Sequence, residues 1–383
     1  MLELFSPPTR AWFSSAVGTP TAVQAEGWPR IAAGENVLIS APTGTGKTLT
    51  AFLVFIDRLK ALARQGALRE QTYVLYVSPL KALAADIREN LKRPNEGIGG
   101  EALRFAVRTG DTTPAERARM LKRPPHILIT TPESLFLLLT APRSRALLRS
   151  VEAVIVDELH ALTGSKRGAH LMLSLARLNA LCGRWVQRIG LSATISPLDL
   201  AAQYLAYPSP CAVVAPVIRK DAASLVTSPL PDLRTISGTV WHDLARQVYQ
   251  LCQGARTVIA FVEGRQQAER LAYGVNALAG EGFARTHHGC VSKEQRHEAE
   301  EQLRSGKLRL LCATSSMELG IDVGDVDLVV QVGCPLTVSS ALQRLGRAGH
   351  RPGVTSVMRV FAKTAADALH CGLTARTAME GGI

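Results

Sequence analysis

The sequence predicts two consecutive α/β domains, each a parallel sheet with helices on both faces. Short apolar runs recur without polar alternation, and each ends in turn residues. Such runs are strands buried on both faces, as parallel sheets require. The segments between them have helical periodicity, as over 80–91, and strand–helix alternation builds a doubly covered sheet. A proline-rich stretch, from Tyr207-Pro208-Ser209-Pro210 to Ser228-Pro229-Leu230-Pro231, interrupts the series. It places the junction between domains of residues 1–225 and 226–383.

In the first domain, strands are expected at 36–40, 73–77, 126–130 and 153–156, with a fifth at 187–191. In the second they are expected at 257–261, 308–312 and 328–332, with helices over 265–278 and 293–303. The two halves share a layout, although their residues do not repeat.

Composition narrows the function. Of 383 residues, 46% are hydrophobic and 20% charged, as in a globular chain with a sizeable core. No apolar run reaches the roughly 18 uncharged residues of a membrane span. The first residues carry Glu3 and no basic segment, unlike a signal peptide. Seven cysteines without a CxxC pair exclude the common zinc-ribbon and iron–sulfur spacings. The expectation is a cytoplasmic protein with no membrane partner, and its net charge of +12 favours a polyanionic one.

Ala41-Pro42-Thr43-Gly44-Thr45-Gly46-Lys47-Thr48 follows the first strand and opens a helix over 49–63. Glycines there let backbone N–H groups close around phosphate oxygens, and the helix N-terminus adds partial positive charge. Thr43, Gly44, Thr45 and Gly46 would line the phosphates of ATP. Lys47 would reach the β- and γ-phosphates, and the Thr48 hydroxyl would hold Mg²⁺. A chance lysine in a glycine-rich turn would lack the flanking strand and helix.

Asp157-Glu158-Leu159-His160 comes directly off the strand at 153–156. Carboxylates at a strand's C-terminal end face the crevice where parallel sheets bind ligands. Asp157 suits Mg²⁺ coordination, and Glu158 is placed to orient the attacking water. Alone the tetrapeptide is a common acidic turn. Paired with the upstream loop it marks a nucleotide hydrolase.

These motifs and their spacing resemble the superfamily 2 DExH-box helicases, and their wording resembles the Lhr (large helicase-related) family over nearly the whole chain. The resemblance implies two tandem RecA-like domains and accounts for Ala41, where the generic loop has Gly. Pro20-Thr21-Ala22-Val23-Gln24 resembles the adenine-reading Q motif, which gives Gln24 that contact. Ser78-Pro79-Leu80-Lys81-Ala82-Leu83, Arg108-Thr109-Gly110-Asp111-Thr112 and Thr130-Thr131-Pro132-Glu133-Ser134 resemble strand-tracking motifs. Ser192-Ala193-Thr194 resembles the element that couples hydrolysis to domain movement. In the second domain, His287-His288-Gly289, Ala313-Thr314-Ser315-Ser316-Met317-Glu318-Leu319-Gly320-Ile321-Asp322 and Gln343-Arg344-Leu345-Gly346-Arg347-Ala348-Gly349-His350 resemble further family elements. The resemblance implies nucleotide contacts through Gly320 and Asp322, with Asp322 at the ribose. It also implies a bond between His160 and Gln343 across the cleft.

Arg344 and Arg347 lie three apart, which places both on one helix face if that segment is helical, where both can point at one phosphate. Such arginines stabilise charge on a transferring phosphoryl group. The expected nucleic-acid track is Lys81, Thr109, Thr131, Arg265 and Thr314, hydroxyls and bases suited to phosphates rather than base edges. His287-His288 offers a metal pair, but no nearby acid or cysteine completes a site, and it reads as a backbone-contacting loop. Glu263 is a departure. It stands where the family carries Asn, and an acid there would repel a phosphate backbone.

The resulting expectation is a nucleic-acid-dependent ATPase acting as a 3′→5′ helicase or translocase on single-stranded DNA, with DNA or DNA–RNA duplexes as substrates and DNA-repair proteins as candidate partners. An RNA helicase or protein–RNA remodelling enzyme is the alternative. A non-catalytic clamp would not need Lys47, Asp157, Glu158, Arg344 and Arg347 together. The family resemblance implies a winged-helix domain beyond a last helix over 365–378, so hydrolysis with weak unwinding is expected of these residues alone.

Overall fold

The computed structural model describes the chain except residues 43, 194, 218–221, 231–239, 319–325, 350–354 and 380–383 and the side chains of 82, 85 and 293. The chain divides into two units, Met1–Val217 and Ile218–Ile383.

Among the described residues, the first unit holds β1 (Asn36–Ser40), β2 (Val74–Val77), β3 (Phe105–Arg108), β4 (Ile127–Thr130), β5 (Ala153–Val156), β6 (Gln187–Ser192) and β7 (Cys211–Val214). They form one sheet in the order β3-β4-β2-β5-β6-β1-β7, with every pairing parallel. The second unit holds β8 (Ala222–Thr227), β9 (Val258–Phe261), β10 (Ala284–His287), β11 (Leu310–Ala313), β12 (Leu328–Val332) and β13 (Ser356–Phe361). Their order is β10-β11-β9-β12-β13-β8, again all parallel.

The second sheet shows why the central strands read as unbroken apolar runs. Successive side chains point to opposite faces. Val258, Ala260, Leu310, Cys312 and Val330 pack against Leu244, Val248, Leu271 and Val275 of helices Val240–Gln253 and Arg265–Ala279. Their neighbours Ile259, Phe261, Leu311 and Val329 face the other way, onto Ala299, Leu303 and Leu345 of helices Lys293–Arg304 and Val338–Leu345. Both faces are dry, so no polar alternation survives. Each fully buried aliphatic side chain contributes about 1.5–3 kcal/mol.

The strands absent from the sequence expectation have a common cause. β3, β7, β8 and β10 include all four sheet edges and are only partly buried, and Ser356 and Arg359 interrupt the apolar run of β13. β8 also corrects the domain junction. The expected 225/226 boundary falls inside it, yet β8 pairs with β13 along Ala222–Thr227 and belongs wholly to the second sheet. Among the described residues no helix is long and apolar enough to cross a membrane.

His126, just before β4, is buried, and its Nδ1 accepts the Arg104 N–H at 3.2 Å. Burial, and then the Arg104 charge, lower its pKa from 6.5 to about 4. The folded state holds this ring neutral while the unfolded state protonates it near 6.5. Its stabilisation is therefore complete above that value and is lost as pH falls towards 4, by about 2–3 kcal/mol. Urea unfolding at pH 7 and 4.5 should show a smaller acid loss in His126→Asn, which keeps an acceptor near Nδ1. Equal losses in the two proteins would contradict this.

Candidate nucleotide site and nucleic-acid interface

β1 delivers the phosphate loop. The Ala41 N–H bonds the Ser192 carbonyl at 3.1 Å, so the end of β6 holds the loop's first residue. Gly44 and Gly46 have φ of 82° and 84°, which side-chain-bearing residues rarely adopt. Thr45 Oγ1 donates to the Pro42 carbonyl at 2.8 Å, and Thr21 Oγ1 donates to the Thr45 carbonyl at 2.9 Å. Lys47 Nζ donates to the carbonyls of Ala41 and Pro42 at 2.5 and 2.8 Å. Desolvation lowers its pKa to about 8, opposed by Glu158 and then Asp157. Thr48 follows in the first turn of helix Lys47–Arg64.

Gln24 is buried at the base of this loop. Its Oε1 accepts the Thr21 N–H at 2.9 Å, closing the cap of helix Ala22–Ala32. A Cβ at Gly46 would lie 2.7 Å from Gln24 Nε2. The amide expected to read adenine thus braces the loop, and its oxygen is engaged by the cap.

β5 ends in the acidic pair. The Asp157 N–H bonds the Val77 carbonyl at 2.9 Å, which extends the β2–β5 ladder by one residue. Asp157 is buried, with Oδ1 accepting the Glu158 N–H at 2.9 Å and Oδ2 accepting the Tyr76 hydroxyl. Burial, and next the Glu158 carboxylate, raise the Asp157 pKa. Tyr76, the Glu158 N–H and Lys47 oppose the rise. A carboxylate so placed is stabilised in its charged form by a nearby cation, and with the Thr48 hydroxyl it offers the hard oxygen donors that Mg²⁺ takes. Glu158 has φ of 47°. Such backbone costs on the order of 1–3 kcal/mol for a residue with a side chain, and it persists where its surroundings impose it.

His160 closes the network. Its Nδ1 lies 3.0 Å from Ser192 Oγ and 3.5 Å from Glu158 Oε2. The sheet order explains the assembly: β5, β6 and β1 are neighbours, so their C-terminal turns carry Glu158, Ser192 and the phosphate loop side by side.

The other half of the sheet, β3-β4-β2, carries the expected strand-tracking loops. Thr109 and Thr131 are buried and shape their own turns. Thr131 Oγ1 accepts the Ser134 N–H at 3.4 Å to cap helix Pro132–Thr140, and Thr109 Oγ1 accepts the Asp111 N–H at 3.3 Å. Lys81 is exposed instead, paired with Asp111 at 2.6 Å. An exposed pair contributes only ~0–1 kcal/mol, so a phosphate can replace the aspartate at little cost.

The second unit repeats the plan. Arg265, exposed after β9, donates from Nη1 to Cys290 Sγ at 3.2 Å. Thr314 follows β11, and its N–H bonds the His287 carbonyl at 3.2 Å. The two histidines do have acids nearby, contrary to the sequence expectation. His287 lies 2.9 Å from both Ser316 Oγ and Glu300, and His288 lies 2.7 Å from Glu269. Helices distant in sequence supply both acids. Each histidine takes its own, and among the described residues no group of three or more such side chains could hold a metal ion. Glu263 pairs with Lys363 at 3.0 Å, so its charge is met within the domain.

Arg344 and Arg347 do not share a helix face. Helix Val338–Leu345 ends between them, and both turn towards Glu318. Arg344 is buried, its Nε and Nη2 on Glu318 Oε2 at 3.2 and 2.8 Å, its Nη1 on Gln331 Oε1 at 2.7 Å, and its guanidinium over the Phe261 ring. Those bonds fix it within its own domain. Arg347 Nη2 donates to the Glu318 carbonyl at 2.8 Å. Gln343 Nε2 bonds Ser339 Oγ at 3.5 Å. Thr43, Thr194, Gly320, Asp322 and His350 lie outside the described residues. Sequence reasoning missed Tyr76 and Gln331, which read as filler inside apolar strands. A polar tip at the centre of a buried strand was the available signal.

A glycine-rich loop between strand and helix, with an acid pair two strands away on the same parallel sheet, defines a phosphate-loop nucleotide-binding protein, here built on two RecA-like units. Residues 21–201 match the DEAD/DEAH box helicase family and residues 243–352 the helicase conserved C-terminal domain. The whole chain is 43% identical to a Lhr helicase/probable uracil glycosylase of Mycolicibacterium smegmatis, of which it covers 28%. Over 98% of its length it is 43% identical to the ATP-dependent helicase Lhr-Core protein 2 of Thermococcus barophilus, of which it covers 46%. The solved structure of Mycobacterium smegmatis helicase Lhr bound to ssDNA and AMP-PNP matches the whole chain with a TM-score of 0.91 at 45% identity, and the chain covers 50% of it. The chain belongs to the DEAD/DEAH box helicases, in the Lhr family. It spans between 28% and 46% of the length of the two curated relatives.

Proposed function

We propose that this chain is a cytoplasmic ATP-driven motor that moves 3′→5′ on single-stranded DNA. The observation that carries the reading is the division of the first sheet. The turns of β5, β6 and β1 form one connected nucleotide site, while those of β3, β4 and β2 carry Lys81 and the loops shaped by Thr109 and Thr131. Lys47 binds the β- and γ-phosphates, and Glu158 orients and deprotonates the attacking water. Thr48 and Asp157 would hold Mg²⁺, which would neutralise charge on the phosphates. Arg347 is the arginine that supplies positive charge to a transferring phosphoryl group. Lys81, Arg265 and Thr314 contact the strand backbone. The single-stranded DNA bound to the M. smegmatis helicase favours DNA over RNA, and the cysteines, all free thiols, favour a reducing compartment.

The test compares ATPase stimulation by single-stranded DNA and RNA of matched length and sequence. DNA should stimulate more strongly. Raising salt from about 50 to 200 mM should weaken half-saturation by ~50-fold if roughly four phosphates are contacted. Stronger stimulation by RNA would favour a remodelling enzyme. No stimulation by either polymer would defeat the motor reading.

A further inference from the structure

We propose that Tyr76 is a positioning residue for the nucleotide site, its hydroxyl fixing the orientation of the Asp157 carboxylate. The inference rests on the reading of Asp157 as a ligand of the Mg²⁺ that accompanies ATP.

Tyr76 sits in β2, with no exposed surface, in the run Val74-Leu75-Tyr76-Val77. A leucine or phenylalanine would fill such a position without bringing a polar atom inside. A buried hydroxyl needs a partner, and leaving one unmade is unfavourable. Strand pairing provides the partner. Tyr76 lies opposite Ile155 in the parallel register, and the ladder continues as the Asp157 N–H bonds the Val77 carbonyl. Asp157 Oδ2 accepts the Tyr76 hydroxyl while Oδ1 accepts the Glu158 N–H at 2.9 Å. Each carboxylate oxygen has two lone-pair directions, so one on each remains for a further partner.

The ring is anchored as well. It packs against Phe52 at 5.3 Å between centroids, and Phe52 belongs to helix Lys47–Arg64, which the phosphate loop opens. One side chain therefore ties the acidic turn to the helix that bears Lys47 and Thr48. Residues that orient a metal ligand from behind typically change metal affinity or activity by ~10–100-fold when removed.

Tyr76→Phe removes the hydroxyl and keeps the ring. The Mg²⁺ concentration for half-maximal ATPase should rise by ~10-fold or more. Mn²⁺ binding in the presence of AMP-PNP, followed by electron paramagnetic resonance, should weaken in the same proportion. Binding of AMP-PNP in EDTA should stay unchanged, because that step uses the loop and not Asp157. In an Asp157→Asn background the second substitution should add nothing to the metal effect. If Y76F melts early, all four measurements are made well below its melting temperature. A parental Mg²⁺ midpoint in Y76F overturns the inference, as does an equal loss of metal-free nucleotide binding, which would mean that the hydroxyl only supports the fold. A parent chain without Mg²⁺-dependent hydrolysis instead overturns the reading of Asp157 on which the inference stands.

Discussion

Lys47→Ala is expected to lower strand-stimulated ATP hydrolysis by ~10²–10³-fold while leaving the fold and most strand affinity intact. The lysine is fixed by the loop itself, with Nζ on the carbonyls of Ala41 and Pro42, and it stands in the field of Asp157 and Glu158. Bound phosphates would draw it outward, and its charge counts most as negative charge develops on the transferring group. Alanine removes that charge without loosening helix Lys47–Arg64, which is held by Phe52, Leu53, Ile56 and Leu59 in the core. Alanine is also the best helix former. Lys81 and Arg265 remain to bind the strand. The check is a steady-state ATPase assay beside fluorescence anisotropy with single-stranded DNA. Hydrolysis within about threefold of the parent would mean that another loop does the chemistry, since loss of one such donor is worth far more.

Arg347→Ala should reduce turnover by ~10³-fold or more, whereas Arg344→Ala should act mainly on stability. The two arginines looked equivalent as a pair three residues apart. The fold separates them. Arg344 is buried against the Glu318 carboxylate, the Gln331 amide and the Phe261 ring. Removing it strands a carboxylate in the interior, which costs about 3–5 kcal/mol. Arg347 Nη2 donates instead to the Glu318 backbone carbonyl. Differential scanning fluorimetry should therefore show a large fall in Tm for R344A, and R347A should show the larger kinetic loss once R344A is measured below its Tm. An R347A protein that turns over ATP at the parental rate would remove the arginine from the mechanism.

What the sequence determined by itself is what depends on local chemistry. A buried parallel strand must be apolar on both faces, so β1, β4, β5, β9, β11 and β12 announced themselves. A phosphate loop needs glycine at positive φ beside a helix start, so Gly44, Gly46 and Lys47 were legible one residue at a time. The Asp157–Glu158 turn was legible for the same reason. The tertiary structure alone decided what depends on groups far apart in the chain. Edge strands such as β8 and β10 carry mixed side chains because one side faces water, and nothing local distinguishes them from loops. A threonine in a motif may face a ligand or cap its own helix, as Thr131 does, and spacing is the same in both cases. The acids beside His287 and His288, the lysine that neutralises Glu263 and the tyrosine behind Asp157 arrive from other elements of the fold. Electrostatics and hydrogen bonding act over a few ångströms of space, and only the strand order brings those atoms within reach.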